Sequence, residues 1–380
     1  MASPLERPLA ARRLRASFRR LGLKLAGLAL LVVLLVVGVS RIDVAHDLHA
    51  MRVRVLSGES DGNYHALVAR FARAAAAQHG IIENQPTAGS AENVLRLGGA
   101  ARSCEVQFAL AQAGSDWGPG LQLLGRLAKP EAILFLGRNA DGMTELGDLE
   151  GMRIGIGPAG SGTDRLMRQI FALPELAALH AVLSNHPGQE ELQLAELGDL
   201  DLAVLVIDQD APLVSEWVLR HGLGMAGFFH AESVARRLPH LGVGRIAAGD
   251  YDAVKDIPRL DKKVITVETV LVGNGCASRV ATIDLLGVVS SQLPDFVRHN
   301  RETPNTTGLA LSPVAADYFA NEGPQLADIY LPWLVDVMPP ANWAYVVMGV
   351  SLLFNAMGFG HRFRLWRIDA ARVKLEGELG

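Results

Sequence analysis

The sequence predicts an α/β protein of two lobes joined by a hinge that the chain crosses twice, with an apolar segment at either end. Three observations carry this. Short apolar runs alternate with helix-period patterns through the body of the chain, which is how strands and covering helices read in a layered α/β domain. Polar punctuation falls twice, at 138–142 and at 249–263 with Pro258, and both are read as hinge crossings. Uncharged stretches stand at 25–39 and 337–360. The 380 residues are ample for two compact units.

The ends come first. Residues 1–20 form a basic, cytoplasmic N-terminus and 21–40 a transmembrane anchor or signal, with LAGLALLVVLLVVGV at its centre and Lys24 able to snorkel. A cleaved signal peptide ending near Gly38 and Ser40 is the alternative, and the absence of a following cysteine excludes a lipoprotein anchor. Residues 337–360 contain no Asp, Glu, Lys or Arg and are bracketed by Trp333, Trp343 and Trp366, so a second transmembrane segment or a helix lying in the interface is expected. A basic cytoplasmic tail, 361–380, follows. Net charge is −4 overall but +6 over 1–24 and +2 over 361–380, which leaves the body at −12. An acidic body excludes nucleic acid as a partner, and basic flanks at both ends place the body outside the cytoplasm, with membrane lipid as a partner of the terminal helices.

Within the body, strands are expected at 52–56, 105–111, 122–127, 132–136, 152–156, 202–207 and 264–272, largely parallel. Tyr64, Leu67, Val68, Phe71 and Ala75 recur at helical spacing and form one stripe. The first lobe comprises 50–138 plus 262–325 and the second 139–261. Cys104 and Cys276 are too few for a disulfide framework or a zinc site, and the count fits one bridge as well as two buried thiols.

Four loops follow predicted strands. In SGESDGNYHAL, Gly58 and Gly62 allow a tight turn, and Ser60, Asp61 and Asn63 are placed to cap the helix beginning near Tyr64. In TAGSAEN, Ser90 caps and Asn93 lies three residues on. GPAGSGTD and ALAQAGSDW contribute Ser161, Thr163, Gln112 and Ser115. Helix N-termini offer free N–H groups, so convergence of these loops makes a site for one small polar ligand. Gly155, Gly157 and Gly160 spell a dinucleotide pattern without its acidic partner, and Thr163 stands where a phosphate loop needs lysine, so neither nucleotide reading holds. His46 and His49 read as a solvated turn rather than metal ligands. Asp208 and Asp210 read as a turn beside Pro212 rather than an acid pair. No catalytic constellation is present, so a non-enzyme without cofactor or metal is expected.

At these loops the sequence resembles a known family. Gly62, Asn63 and Tyr64, the segment GSAENVLRL, the strand end FALAQAGSD and the run TELGDLEGMRIGIGPAGSGT are similar to the TAXI branch of solute receptors for tripartite ATP-independent periplasmic (TRAP) transporters, from about Arg52 to Phe319. The resemblance implies a periplasmic-binding-protein-like fold at the bacterial inner membrane, with the body periplasmic. It implies capture of an amino acid or dicarboxylate-like metabolite and delivery to TRAP permease subunits. It carries over Tyr64, Ser90, Asn93, Gln112, Ser161 and Thr163 as ligand contacts, beside Ser60 and Asn63 of the first loop. Tethering at both ends departs from the family, and Glu59 and Asp61 would repel an anion, so weaker dicarboxylate binding or a neutral or zwitterionic ligand is expected. The rival expectation is an envelope sensor or scaffold that keeps the fold without a transporter.

Overall fold

A computed structural model describes residues 48–49, 51–60, 62–338 and 340–353, with scattered positions from 355 to 368. The expected anchor or signal at 21–40, both basic termini, His46 and Asp61 lie outside the described residues.

The chain opens with β1 (Arg52–Leu56), α1 (Asn63–Ala76), β2 (Ile81–Gln85), α2 (Ser90–Gly99), β3 (Phe108–Gln112) and β4 (Gln122–Arg126). With β12 (Thr269–Gly273) these strands form a five-stranded sheet ordered β2-β1-β3-β12-β4. The second sheet contains β5 (Glu131–Gly137), β6 (Arg153–Gly155), β7 (Val182–Ser184), β8 (Leu202–Ile207), β10 (Leu241–Ile246) and β11 (Lys262–Val267), ordered β10-β11-β5-β8-β6-β7, and the short β9 (Gly224–Met225) adds to β5. α3 (Gly162–Phe171) and α4 (Gly188–Leu197) follow β6 and β7, and α5 (Arg279–Gln292) follows β12. The result is the expected two-lobed α/β architecture with two crossings.

The crossings are displaced from the expected ones. β5 and β11 pair with each other in the second sheet, so the chain changes lobes at 127–130 and at Glu268 rather than at 138–142 and 249–263. The apolar run 264–272 reads as one strand, yet it is two, broken at Glu268 where the chain passes from one sheet to the other. Burial on both faces hides such a break, because neither strand alternates. The lobe limits 50–138 plus 262–325 and 139–261 shift accordingly. Pairing is also mixed rather than largely parallel. β1 runs parallel to β2 and β3, and β6 to β7 and β8, whereas β5, β10, β11 and β12 pair antiparallel.

The expected stripe folds as α1, burying Val68, Phe71 and Ala75 against Val53, Val55 and Phe108 of the first sheet. α5 packs beside it, and its Arg279 donates to Asp328 and Asp317 at 2.9 Å each. All seven residues of β5 are buried, as suits a strand at the middle of a covered sheet. Cys104 and Cys276 are joined in a disulfide with Cα atoms 5.4 Å apart, which settles the alternatives left open by the count. Among the described residues no single helix is long and apolar enough to cross a membrane. Within 337–360, Trp343–Leu353 is a short apolar helix whose Tyr345, Val347, Leu352 and Leu353 are exposed.

Candidate functional site

The loops of both lobes meet at one cavity of about 200 Å³ between the sheets. From the first lobe it is lined by Gly58, Glu59, Gly62, Asn63, Tyr64, Gly89, Ser90 and Gln112. From the second it is lined by Glu131, Gly157, Ser161, Gly162, Thr163, Glu191 and the outer half of β8. The N-termini of α1, α2 and α3 all open onto it, so the positive ends of three helix dipoles face the space. That volume lies below the roughly 300–1,000 Å³ of drug-sized sites and suits a small metabolite.

Six of the eight expected contacts line this cavity: Asn63, Tyr64, Ser90, Gln112, Ser161 and Thr163. Two do not. Ser60 is exposed on the turn before α1 and stands outside the lining. Asn93 is fully buried and committed to the protein: its amide donates to the carbonyls of Ser57 (2.6 Å) and Leu110 (2.7 Å) and accepts from Thr87 Oγ1 (2.6 Å). It staples α2 to β1 and β3. A polar residue one turn into a helix reads equally well as a ligand group or as this cross-link.

The expected caps are also rearranged. α1 begins at Gly62 without a side-chain cap, and α2 at Gly89, whose φ of 120° favours glycine. Ser90 therefore stands inside the helix, where its Oγ accepts from the Gln112 N–H at 3.0 Å and ties α2 to the end of β3. Ser161 does cap α3, accepting from the Asp164 N–H at 3.2 Å.

The lobes touch along one rim of the cleft. Arg165 of α3 pairs with Asp116 across the lobes at 3.5 Å, and Gln169 Nε2 donates to the Gly114 carbonyl at 3.4 Å. A Cβ on Gly162 would sit 2.5 Å from Gln112 Oε1, so a larger residue there would have to displace the Gln112 side chain. The opposite side is governed by the crossings. Lys129, on the first, pairs with Asp208 (2.8 Å) and with Asp210, which makes these two carboxylates a hinge clasp. Arg126 and Glu268 flank the crossings and pair at 3.4 Å, and Arg126 also donates to the Thr303 and Pro304 carbonyls.

Sequence reasoning missed two carboxyl groups. Glu131 opens β5 directly after the first crossing. Its Oε2 accepts from Tyr64 Oη at 2.8 Å, and the same hydroxyl lies 3.3 Å from Thr269 Oγ1, at the start of β12. Loss of water pushes the Glu131 carboxyl up to about 7, against the lowering effect of its hydrogen bonds to Tyr64, Gln112 and Thr269. With Asn63 and Tyr64 it lines both the cleft and a second cavity of about 350 Å³ beside the first crossing. Glu191, on α4, is fully buried and accepts from the N–H groups of Gly157 (2.6 Å) and Val204 (2.8 Å). Burial pushes it, too, up to about 7. A Cβ at Gly155 would meet Glu191 Cγ at 2.4 Å, so the glycine admits this carboxylate. Because Glu191 occupies the Gly157 N–H, that donor is not free for a phosphate, which adds to the missing lysine against a nucleotide site. The one available signal for Glu131 was a single carboxylate heading the otherwise apolar EAILFLG. Glu191 had none, being one of two adjacent glutamates on a helix.

His49 stacks edge-on against His79 with ring centres 4.7 Å apart, and no cluster of metal-ligating side chains occurs among the described residues.

No family model matches the chain, and no curated protein matches it. Solved structures do. An ancestral arginine-binding protein bound to arginine is similar at 11% identity and a TM-score of 0.38, covering 64% of this chain and 94% of that one. The substrate-binding protein of an amino acid ABC transporter is similar at 11% identity and a TM-score of 0.37, covering 64% and 92%. The effector-binding domain of QuiR in complex with shikimate is similar at 9% identity and a TM-score of 0.38, covering 64% and 97%. At such scores these likenesses assign no ligand and no role to the present chain, whose two-lobed α/β fold stands on its own strand pairing.

Proposed function

We propose that this chain is a membrane-tethered extracytoplasmic solute-binding protein, not an enzyme, that closes over one small polar metabolite and serves TRAP-type transport. The observation that carries the reading is convergence: turns from both sheets line one interlobe cavity, and two short crossings connect the lobes. Lobes linked in this way move as bodies about the crossing residues. The Cys104–Cys276 bridge supports an oxidising, extracytoplasmic compartment. The exposed apolar helix Trp343–Leu353 supports a membrane-facing end. The TAXI resemblance supports TRAP permease subunits as the downstream partner.

The test is thermal unfolding of the full chain with pools of polar metabolites. A ligand held only by the folded state stabilises it by about 2.7 kcal/mol at a hundredfold excess over Kd. The expected result is a raised Tm with at least one pool, lost in Tyr64→Ala. An unchanged Tm with every pool leaves an envelope scaffold that retains the fold.

A further inference from the structure

We propose that the cleft selects a solute by its ammonium group, with the Glu131 carboxyl as the receptor. The proposal rests on the reading of the cleft as a solute site and names the ligand chemistry that site takes. The described lining of the cavity includes the carboxyl side chains of Glu59, Glu131 and Glu191 and no lysine, arginine or histidine. Of the cations around it, Lys129 pairs with Asp208 and Asp210, Arg126 with Glu268 and Arg165 with Asp116, while Arg70 lines the second cavity on the far side of Glu131.

The buried carboxyls are not equivalent. Each oxygen of Glu191 already accepts a backbone N–H, which fixes it as part of the scaffold. Glu131 has only neutral partners, a phenol, a threonine hydroxyl and an amide, and it borders the open cavity. A desolvated carboxylate without a cation is costly, and a ligand cation supplies the missing countercharge. The three helix N-termini favour an acceptor on the rest of the solute. A charge-assisted hydrogen bond to a carboxylate is stronger than either a neutral hydrogen bond or a helix-end contact, so the ammonium contact dominates selection.

The experiment is calorimetric titration of the full chain at pH 8 with matched pairs that differ only by ammonium or hydroxyl: L-alanine and L-lactate, L-aspartate and L-malate, L-glutamate and L-2-hydroxyglutarate. Ethanolamine and putrescine are added as amines without carboxylate. The expected result is that at least one ammonium compound binds, at least tenfold more tightly than its hydroxy counterpart where one exists, and that Glu131→Gln reduces its affinity at least tenfold. Equal affinity for the members of a pair, or an unchanged affinity in Glu131→Gln, overturns the proposal while leaving the receptor reading standing. Absence of binding across the whole set overturns both. Should Glu131→Gln fail to fold, the pairwise comparison on the unaltered chain decides alone.

Discussion

Glu131 and Glu191 face the same cavity from different surroundings, and the contrast shows how one kind of residue serves two ends. Both are buried and both are held up to about 7 by loss of water. Glu191 answers two backbone donors and so holds the 157–163 loop against β8. Glu131 answers side chains at the mouth of the hinge and keeps a face on open space. Burial alone therefore does not identify a functional carboxyl. The nature of its partners does, because a backbone donor cannot withdraw when a ligand arrives.

Four measurements break or sharpen this contrast. The largest effect is expected from Val204→Asp, which buries an unpaired charge on the strand that Glu191 holds and should leave no folded protein by circular dichroism. Next, Glu191→Ala strands two buried N–H groups and should cost about 3 kcal/mol in urea unfolding. Glu131→Gln at pH 8 should cost less than 1 kcal/mol or stabilise, since it removes a desolvated charge. Similar losses in the two variants would erase the distinction.

The third measurement is pH dependence. A carboxyl whose native pKa lies above its ordinary 4.5 binds more protons folded than unfolded between 4.5 and about 7, so stability is full below that window and falls as pH rises through it. Each group contributes roughly 3 kcal/mol to this fall. Carboxylates such as Asp164 and Asp201, held low by hydrogen bonds and arginine pairing, act below the window. His240, lowered by burial and then by Arg165, acts with the opposite sign. The difference between the unaltered chain and Glu131→Gln isolates one group: from pH 8 to pH 5 the unaltered chain should gain stability over the variant by roughly 3 kcal/mol. The smallest effect is Tyr64→Phe, which removes one hydrogen bond to Glu131 and should cost about 1 kcal/mol in ligand affinity by titration. Ser90→Ala is not its equivalent, because it orphans the Gln112 N–H and so damages structure as well as binding.

Much of the fold was legible in sequence. β1 and β8 fall at their expected limits, and α1 lies where its apolar stripe ends on Ala75. Six of eight expected site residues share the cavity, because glycine-bearing turns after strands leave backbone exposed wherever they occur. Hidden from sequence were β2, β7 and β10, which are polar, short or glycine-rich, together with the break at Glu268. Asn93 and Ser90 also misled, since hydroxyl and amide groups satisfy a helix, a neighbouring strand or a ligand with the same chemistry.

Sequence by itself determined the alternation of strands and helices, the acidic body between basic ends, and the turns available to hold a solute, all of them properties of neighbours along the chain. Tertiary structure alone decided where the chain changes lobes, that Cys104 meets Cys276, and which carboxyl supports the scaffold while the other meets the cavity. The physical reason is that desolvation and hydrogen-bond partnership belong to a place in the fold. Tyr64 and Thr269, 205 positions apart, come together only once both crossings are made.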